Sequence, residues 1–201
     1  MTQADIRLST QERQQQAVAV VMELVSELSP GEITTTDVAR RMGVTQGALF
    51  RHFPSKDALW EAVMQHVRRQ MLARLQQIRA EQPDPMATLQ AMFLAHAEFA
   101  ALHPGVPRML FGQMQHSGHG PAKRIAQELL REYRAQLQQV LEQGQQQQVL
   151  PATLDCEAAA WLFIGTLQGL VMQSLLAGDT ARIRRQAPQL YAIFERGIRC
   201  H

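Results

Sequence analysis

The stretch between Val38 and Lys56 carries several cations and no carboxylate, although the whole 201-residue chain has a net charge of only +2. Clustered guanidinium and ammonium groups attract the phosphates of nucleic acids, and this attraction depends on where the charges lie, not on the net charge. The stretch therefore favours DNA as a partner, with a local charge of +4 expected from Arg40, Arg41, Arg51 and Lys56.

Between these cations lie three side chains that suit contact with base edges, Gln46, Gly47 and Ala48. A glutamine amide can form paired hydrogen bonds with adenine, and an alanine methyl group can contact the methyl group of thymine. Glycine has no side chain, so its backbone can approach a groove closely. The three residues therefore predict recognition of double-stranded DNA.

Two short helices separated by a glycine turn are expected to position these side chains. Thr34 can cap a helix that ends near Met42, with Asp37 completing a capping box, and Thr45 can cap a second helix that ends near Phe53. Two short helices joined by a glycine-containing turn form a helix-turn-helix, whose second helix enters the DNA groove. The apolar residues expected to lock the helices together are Val38, Ala39, Met42, Val44, Leu49 and Phe53.

The rest of the chain is predicted to be helical. Its apolar residues recur at intervals of three and four, and no alternating run indicates a strand. Breaks at glycine- and proline-containing segments such as residues 82–85, 116–121 and 144–151 predict nine helices in all. The fold class is therefore expected to be all-α.

Residues 33–64, ITTTDVARRMGVTQGALFRHFPSKDALWEAVM, resemble the DNA-binding domain of the TetR (tetracycline-repressor-like) family of transcriptional regulators. The resemblance implies an all-helical homodimer with two domains. Residues 1–54 would form the helix-turn-helix domain, and residues 55–201 the ligand-binding and dimerisation domain. It also implies a cytoplasmic regulator, expected here to be a repressor that a small-molecule effector releases from a palindromic operator.

The resemblance also implies roles for individual residues. Thr34 and Thr45 match capping positions that contact phosphates, and His52 and Lys56 match further phosphate contacts. Phe50 stands where the family most often has tyrosine, and without a hydroxyl it offers only apolar contact. The predicted DNA-binding residues are Thr34, Arg41, Thr45, Gln46, Gly47, Ala48, Phe50, Arg51, His52 and Lys56.

Residues 86–115 are rich in methionine and phenylalanine and carry only Glu98 and Arg108 as charges. Such side chains suit the wall of a ligand pocket and equally suit a plain core. We predict a mainly apolar effector between the helices from about Ser55 to Gln143, with Glu98 as a buried carboxylate able to accept a cation. The predicted ligand-binding residues are Met92, Phe93, His96, Phe99, Phe111, Gln113 and Met114.

Residues 158–177 form a run of twenty residues without a charge, which is long enough to span a bilayer. Gln168 and Gln173 oppose insertion, because hydrocarbon offers their amides no hydrogen bonds. Gly165 and Gly169 lie four residues apart and permit close helix approach. The run is therefore predicted to be a helix buried on nearly all sides that holds a homodimer, not a membrane span, with Trp161, Gly165, Gly169 and Met172 in the interface.

The sequence also bears on metal binding and catalysis. His96, His103, His116 and His119 could ligate a metal, but no cysteine or carboxylate stands beside them. The enzyme motifs GxSxG and HExxH and the dinucleotide fingerprint do not occur, so we expect no catalytic residue and no cofactor. Distant Cys156 and Cys200, with no secretory signal, indicate a reducing cytoplasm. Control by a protein partner or a metal remains an alternative.

Overall fold

The computed structural model describes residues 9–28, 30–115 and 120–199. Within these ranges the chain forms helices and no strand, which confirms the predicted all-α class. The nine helices of the described ranges are α1 Thr10–Glu27, α2 Thr35–Arg41, α3 Gln46–Phe50, α4 Lys56–Glu81, α5 Pro85–Leu102, α6 Gly105–Gln115, α7 Pro121–Gln146, α8 Cys156–Leu176 and α9 Ala181–Ile198.

Side-chain caps begin the helices of the N-terminal region where the sequence predicts them. The Asp37 N–H donates to Thr34 Oγ1 at 3.2 Å, and the Thr34 N–H donates to the Asp37 carboxylate at 3.0 Å. The hydroxyl groups of Thr45 and Ser55 accept from the N–H groups of Ala48 and Ala58 and so cap α3 and α4, without the second, reciprocal bond of the Thr34 cap. Each cap contributes about 1 kcal/mol, which helps to fix a helix as short as α3.

Gly43 makes the turn between α2 and α3. Its φ of 69° lies in the left-handed region, where a Cβ would be strained. Beyond the turn, Val38, Leu49 and Phe53 are buried and lock the two helices together, as predicted. The glycine therefore sets the angle at which α3 leaves the domain surface.

The helices enclose two apolar cores that share α4, α6 and α7. The N-terminal core joins α1, α2 and α3 to the first half of α4, and it also takes Met109 from α6 and Ile125 from α7. The C-terminal core joins the second half of α4 to α5, α7, α8 and α9. The N-terminal core thus extends past residue 54, the predicted domain boundary.

By length and composition α8 could cross a membrane. The folded chain buries 44% of the most apolar part of this helix. Phe163 and Leu167 face the core, whereas Trp161 and Leu162 are 56% and 57% exposed. The expectation of a helix buried on nearly all sides is therefore wrong for the single chain, because one apolar face of α8 lies at the surface.

Candidate DNA interface and ligand cavity

The N-terminal end of α3 lies at the surface. Thr45, Gln46 and Gly47 are exposed, and Ala48 is half-buried. Gln46 Nε2 donates to the hydroxyl of Thr35 at 2.8 Å, which ties the side chain to the start of α2. This bond uses one of two amide N–H groups, so the other N–H and the carbonyl oxygen remain for a base.

Carboxylates from outside the basic stretch pair with two of its four cations. Arg41 donates to both oxygens of Glu27 in α1, at 2.6 and 3.3 Å, and this pairing lowers the pKa of Glu27. Arg40 lies 3.3 Å from Asp37. The expected local charge of +4 is therefore too high, because folding brings acidic groups of α1 and α2 beside these arginines.

The other predicted phosphate contacts lie around the end of α3 and the start of α4. Arg51 and Lys56 are exposed, and neither forms an ion pair with a described residue. Phe50 is exposed as well. His52 is half-buried, and its Nδ1 is buried with no hydrogen-bond partner in the part of the chain that the structure describes. Its other ring nitrogen is therefore the one available to a phosphate.

The two predicted threonine contacts are both engaged in caps. The Thr34 hydroxyl donates to the Asp37 carboxylate at 2.6 Å, and the Thr45 hydroxyl accepts from the Ala48 N–H at 3.2 Å. Both threonines are exposed. A phosphate oxygen approaching Thr34 would therefore compete with Asp37 for the hydroxyl proton, whereas the Thr45 proton is not used in the cap.

A cavity of about 220 Å³ lies between α4, α5, α6, α7 and α8. α4 contributes Val67 and Met71 to its wall, and α8 contributes Gln168 and Val171. α6 contributes four apolar side chains, Val106, Pro107, Leu110 and Phe111. A mainly apolar cavity with few polar groups is typical of a small-molecule site.

Three of the predicted pocket residues line this cavity, namely His96, Phe99 and Phe111. Met92 and Phe93 do not line it, because both are fully buried in the C-terminal core. The Phe93 ring packs against Phe163, with 5.0 Å between ring centroids, and against Tyr191 at 5.6 Å. These rings fill the interior on that side, so α5 reaches the cavity only from His96 onwards.

Glu98 does not face the cavity, which corrects the prediction of a carboxylate there. It is exposed and accepts two hydrogen bonds of 2.7 Å from Arg184 in α9. That partner lowers the pKa of Glu98. Two residues after His96, a side chain projects from the opposite side of a helix, because each residue turns the helix by about 100°.

Several predicted residues lie outside the described part of the structure. These are the side chains of Gln113 and Met114, the segment with His116 and His119, and Cys200. Among the described residues, no three histidine, cysteine, aspartate or glutamate side chains gather as a metal site would need. Cys156 is half-buried, and its Sγ lies 3.2 Å from Gln145 Oε1.

Tyr133 and His96 both line the cavity. Tyr133 is 1% exposed, and its hydroxyl and His96 Nδ1 are buried and have no hydrogen-bond partner among the described residues. Their ring centroids are 5.5 Å apart. Burial lowers the pKa of His96 to about 4 and raises the pKa of Tyr133, so both are uncharged at neutral pH. Unpaired polar atoms of this kind cost about 1–3 kcal/mol each, which a bound polar group would relieve.

Sequence reasoning missed the contribution of α7. This helix supplies Lys123, Ala126, Gln127, Leu129, Leu130 and Tyr133 to the cavity wall. The signal was present in the sequence, since apolar residues recur at intervals of three and four along an otherwise polar helix. This apolar stripe consists of Ala122, Ile125, Leu129, Tyr133, Leu137 and Val140.

A surface groove of about 820 Å³ runs between α8 and α9. Gly165 and Gly169 lie in it, and a Cβ at either position would meet no atom of the described residues within 4 Å. Trp161 also lines the groove, with the Arg134 guanidinium 3.8 Å from its ring centroid. Met172, the fourth predicted interface residue, is half-buried further along α8. The groove leaves apolar surface of both helices uncovered in the single chain.

Comparison with known proteins gives two matches to family models. Residues 19–63 match the model described as bacterial regulatory proteins, tetR family. Residues 88–190, just over half of the chain, match the model described as tetracyclin repressor-like, C-terminal domain.

Individual relatives agree with these matches. The chain is 29% identical to the nucleoid occlusion factor SlmA of Marinobacter nauticus, over 84% of this chain and 89% of that protein. A TetR transcription regulator from Haloarcula marismortui has a similar structure, with a TM-score of 0.84 at 15% identity, covering 94% of this chain and all of the other. FadR from Bacillus subtilis in complex with stearoyl-CoA gives a TM-score of 0.79 at 17% identity, covering 92% and 98%. The chain therefore belongs to the TetR family of bacterial transcriptional regulators.

Proposed function

We propose that this regulator is a repressor that binds a palindromic operator as a homodimer and leaves it when a mainly apolar small molecule enters the α4–α8 cavity. The observation that carries the proposal is that α4 belongs both to the DNA-binding region and to the cavity wall. It begins at Lys56, beside the candidate DNA surface, and carries Val67 and Met71 in the cavity. We assign no catalytic residue, and a regulator of chromosomal DNA in bacteria acts in the cytoplasm.

α4 is one continuous helix, Lys56–Glu81, and can couple the cavity mechanically to the DNA-binding region. Val67 lies eleven residues after Lys56, which corresponds to about 16 Å along a continuous helix. A ligand that pushes on Val67 or Met71 would tilt the helix and move the α3 of that protomer relative to its partner. The ligand shifts this equilibrium only by the difference between its affinities for the two arrangements.

A homodimer supplies the second recognition helix that a palindrome requires. The groove between α8 and α9 is the surface we propose for the interface, since it combines exposed Trp161 and Leu162 with two glycines. In a twofold dimer this surface would pack against its own copy. The two α3 helices would then read half-sites about 34–36 Å apart, or at a related spacing.

Other members of the fold support a ligand-binding role for the C-terminal domain. The FadR structure holds stearoyl-CoA, which has a long apolar acyl chain. The cavity of the present chain is closed on several sides by apolar residues and carries Tyr133 and His96 as unpaired polar groups. A small apolar effector is therefore the form of control we favour over a metal or a thiol switch.

Substitutions at the candidate DNA surface test which side chains contact bases and which contact phosphates. We expect Gln46→Ala to relax specificity at particular base pairs by about 1–3 kcal/mol, because it removes a base contact. We expect Lys56→Ala to weaken binding to all sequences and to reduce the salt slope by about one, because it removes a phosphate contact. Binding to an operator and to single-base variants of it, measured by fluorescence anisotropy at several salt concentrations, separates the two effects.

Arg41→Ala is the matched comparison for Lys56→Ala. Because Arg41 is paired with Glu27, its removal should weaken DNA binding less than removal of the exposed lysine. If Gln46→Ala and Lys56→Ala weaken all sequences to the same extent, α3 does not read bases through Gln46, and the proposed orientation on DNA is wrong.

The similarity to SlmA favours a second candidate function, that of a nucleoid occlusion factor. Such a protein would share the DNA-binding domain but would not need release by a small molecule. Chromatin immunoprecipitation separates the two functions. A repressor should occupy a few promoter sites and leave them when the effector is added, whereas occupancy that no small molecule changes would favour the second candidate.

A further inference from the structure

The volume of the cavity limits the size of the molecule that it can hold. A cavity of about 150 Å³ is enough for benzene, whereas drug-sized ligands occupy roughly 300–1,000 Å³. The present cavity of about 220 Å³ lies between these values. It therefore suits one ring with a short chain.

The charges around the cavity disfavour a cation. Among the described residues of the cavity wall, Lys123 is the only one with a charged side chain. Two carboxylates near the cavity are paired with arginines outside its wall, since Glu98 accepts from Arg184 and Glu132 accepts from Arg68 of α4. A cationic ligand would lose its hydration and gain no opposite charge.

Tyr133 and His96 disfavour an anion at the end of the cavity that lies away from Lys123. Tyr133 and His96 are uncharged, and Lys123 lies ten residues before Tyr133, or about 15 Å along α7. A carboxylate beside Tyr133 would therefore be buried without a counter-charge. An uncharged acceptor suits the site better, because the Tyr133 hydroxyl is a donor with no partner among the described residues.

We propose that the effector is an uncharged, single-ring apolar molecule whose carbonyl oxygen accepts a hydrogen bond from the Tyr133 hydroxyl beside His96. This inference rests on the proposed function, because it names the class of ligand for the same cavity. The carbonyl group pairs a hydroxyl that the folded chain leaves unpaired, while the ring and chain contact the apolar wall formed by residues such as Val67, Leu110 and Leu129.

Four compounds with the same phenyl-butyl skeleton test this class. They are butyrophenone, the hydrocarbon butylbenzene, the cation of 4-phenylbutylamine, and the anion 4-phenylbutyrate. Calorimetric titration of the full-length protein should give the tightest binding for butyrophenone. Tyr133→Phe should weaken butyrophenone binding about three- to tenfold, which is the usual net contribution of one hydrogen bond. The same substitution should leave butylbenzene binding unchanged.

Tyr191→Phe is the matched control, because Tyr191 is equally buried but its hydroxyl donates to the Met86 carbonyl oxygen at 2.9 Å, away from the cavity wall. It should lower the melting temperature of the ligand-free protein and leave butyrophenone affinity unchanged. Tyr133→Phe should weaken butyrophenone binding without lowering the melting temperature of the ligand-free protein, since the Tyr133 hydroxyl has no described partner to lose.

The inference is overturned if butylbenzene or either charged compound binds as tightly as butyrophenone, or if Tyr133→Phe leaves butyrophenone affinity intact. It is also overturned if none of the four binds. In that case a broader panel of apolar compounds separates the two proposals. DNA release by other compounds leaves the proposed function standing, whereas no release by any compound removes both.

Discussion

Gly105→Ala is expected to lower the free energy of unfolding by about 3 kcal/mol, the upper end of the usual cost of overpacking. A Cβ at this position would lie 1.8 Å from the carbonyl oxygen of Val25 and 2.3 Å from its carbonyl carbon. These are backbone atoms of α1, so no side-chain rotation relieves the overlap. α6 would have to move away from α1, which loosens the contact between the two cores. Urea denaturation of the purified protein measures the change.

Gly112→Ala is the control on the same helix. A Cβ at Gly112 meets no described atom within 4 Å, and alanine is a better helix former than glycine. This variant should be as stable as the parent protein, or more stable by up to about 1 kcal/mol. Equal stability of Gly105→Ala and the parent would mean that α1 and α6 do not approach each other as closely as the structure has them.

Gly169→Leu is expected to raise the dissociation constant of the homodimer at least about thirtyfold, because a twofold interface meets each added side chain twice and each overlap costs roughly 1–3 kcal/mol. Within one protomer the added Cβ meets no atom of the described ranges within 4 Å, so folding of the protomer should be unaffected. Sedimentation velocity over a range of micromolar concentrations gives the dissociation constant. Loss of the dimer should also abolish tight binding to a palindrome.

Ala73→Leu is the matched control for this substitution, since Ala73 is exposed on α4, away from the groove between α8 and α9. It should sediment as the parent protein does. A monomeric parent protein at micromolar concentration, or a Gly169→Leu variant that dimerises normally, would show that this groove is not the interface.

The parts of the fold that could be predicted from sequence are those fixed by local chemistry. The caps at Thr34 and Thr45 and the left-handed turn at Gly43 depend on residues within three positions of each other. Apolar spacing then gave the buried faces of α2 and α3. For this reason the two helices and the turn between them were predicted in the right places, although α3 ends at Phe50, three residues before the predicted end near Phe53.

The parts that could not be predicted depend on contacts between distant segments. Arg41 is paired with Glu27, fourteen residues away, and Glu98 with Arg184, eighty-six residues away. For this reason Arg41 is not the unpaired cation, and Glu98 not the cavity carboxylate, that their own segments predict. Phe93 and His96 are three residues apart on α5, yet the aromatic rings packed around Phe93 place one in the core and the other at the cavity. Periodicity identifies a buried face, but it does not show where along that face a cavity opens.

The part that α7 plays in the cavity wall could not be predicted for the same reason. Its apolar stripe was visible in the sequence, and a buried stripe is most often plain core. That Tyr133 in this stripe would pack against His96 of α5 in the wall of a cavity follows only from the packing of the two helices. The unpaired Tyr133 hydroxyl and His96 Nδ1 distinguish the cavity wall from the rest of the core.

Footprinting of the DNA upstream of the protein's own gene, with and without a panel of small apolar compounds, tests the central claim most directly. The result we predict is protection of a palindrome with half-sites about 34–36 Å apart, or at a related spacing, that disappears when one of the compounds is added. Protection that persists with every apolar compound and disappears only with a metal ion, an oxidant or a protein partner would contradict the claim.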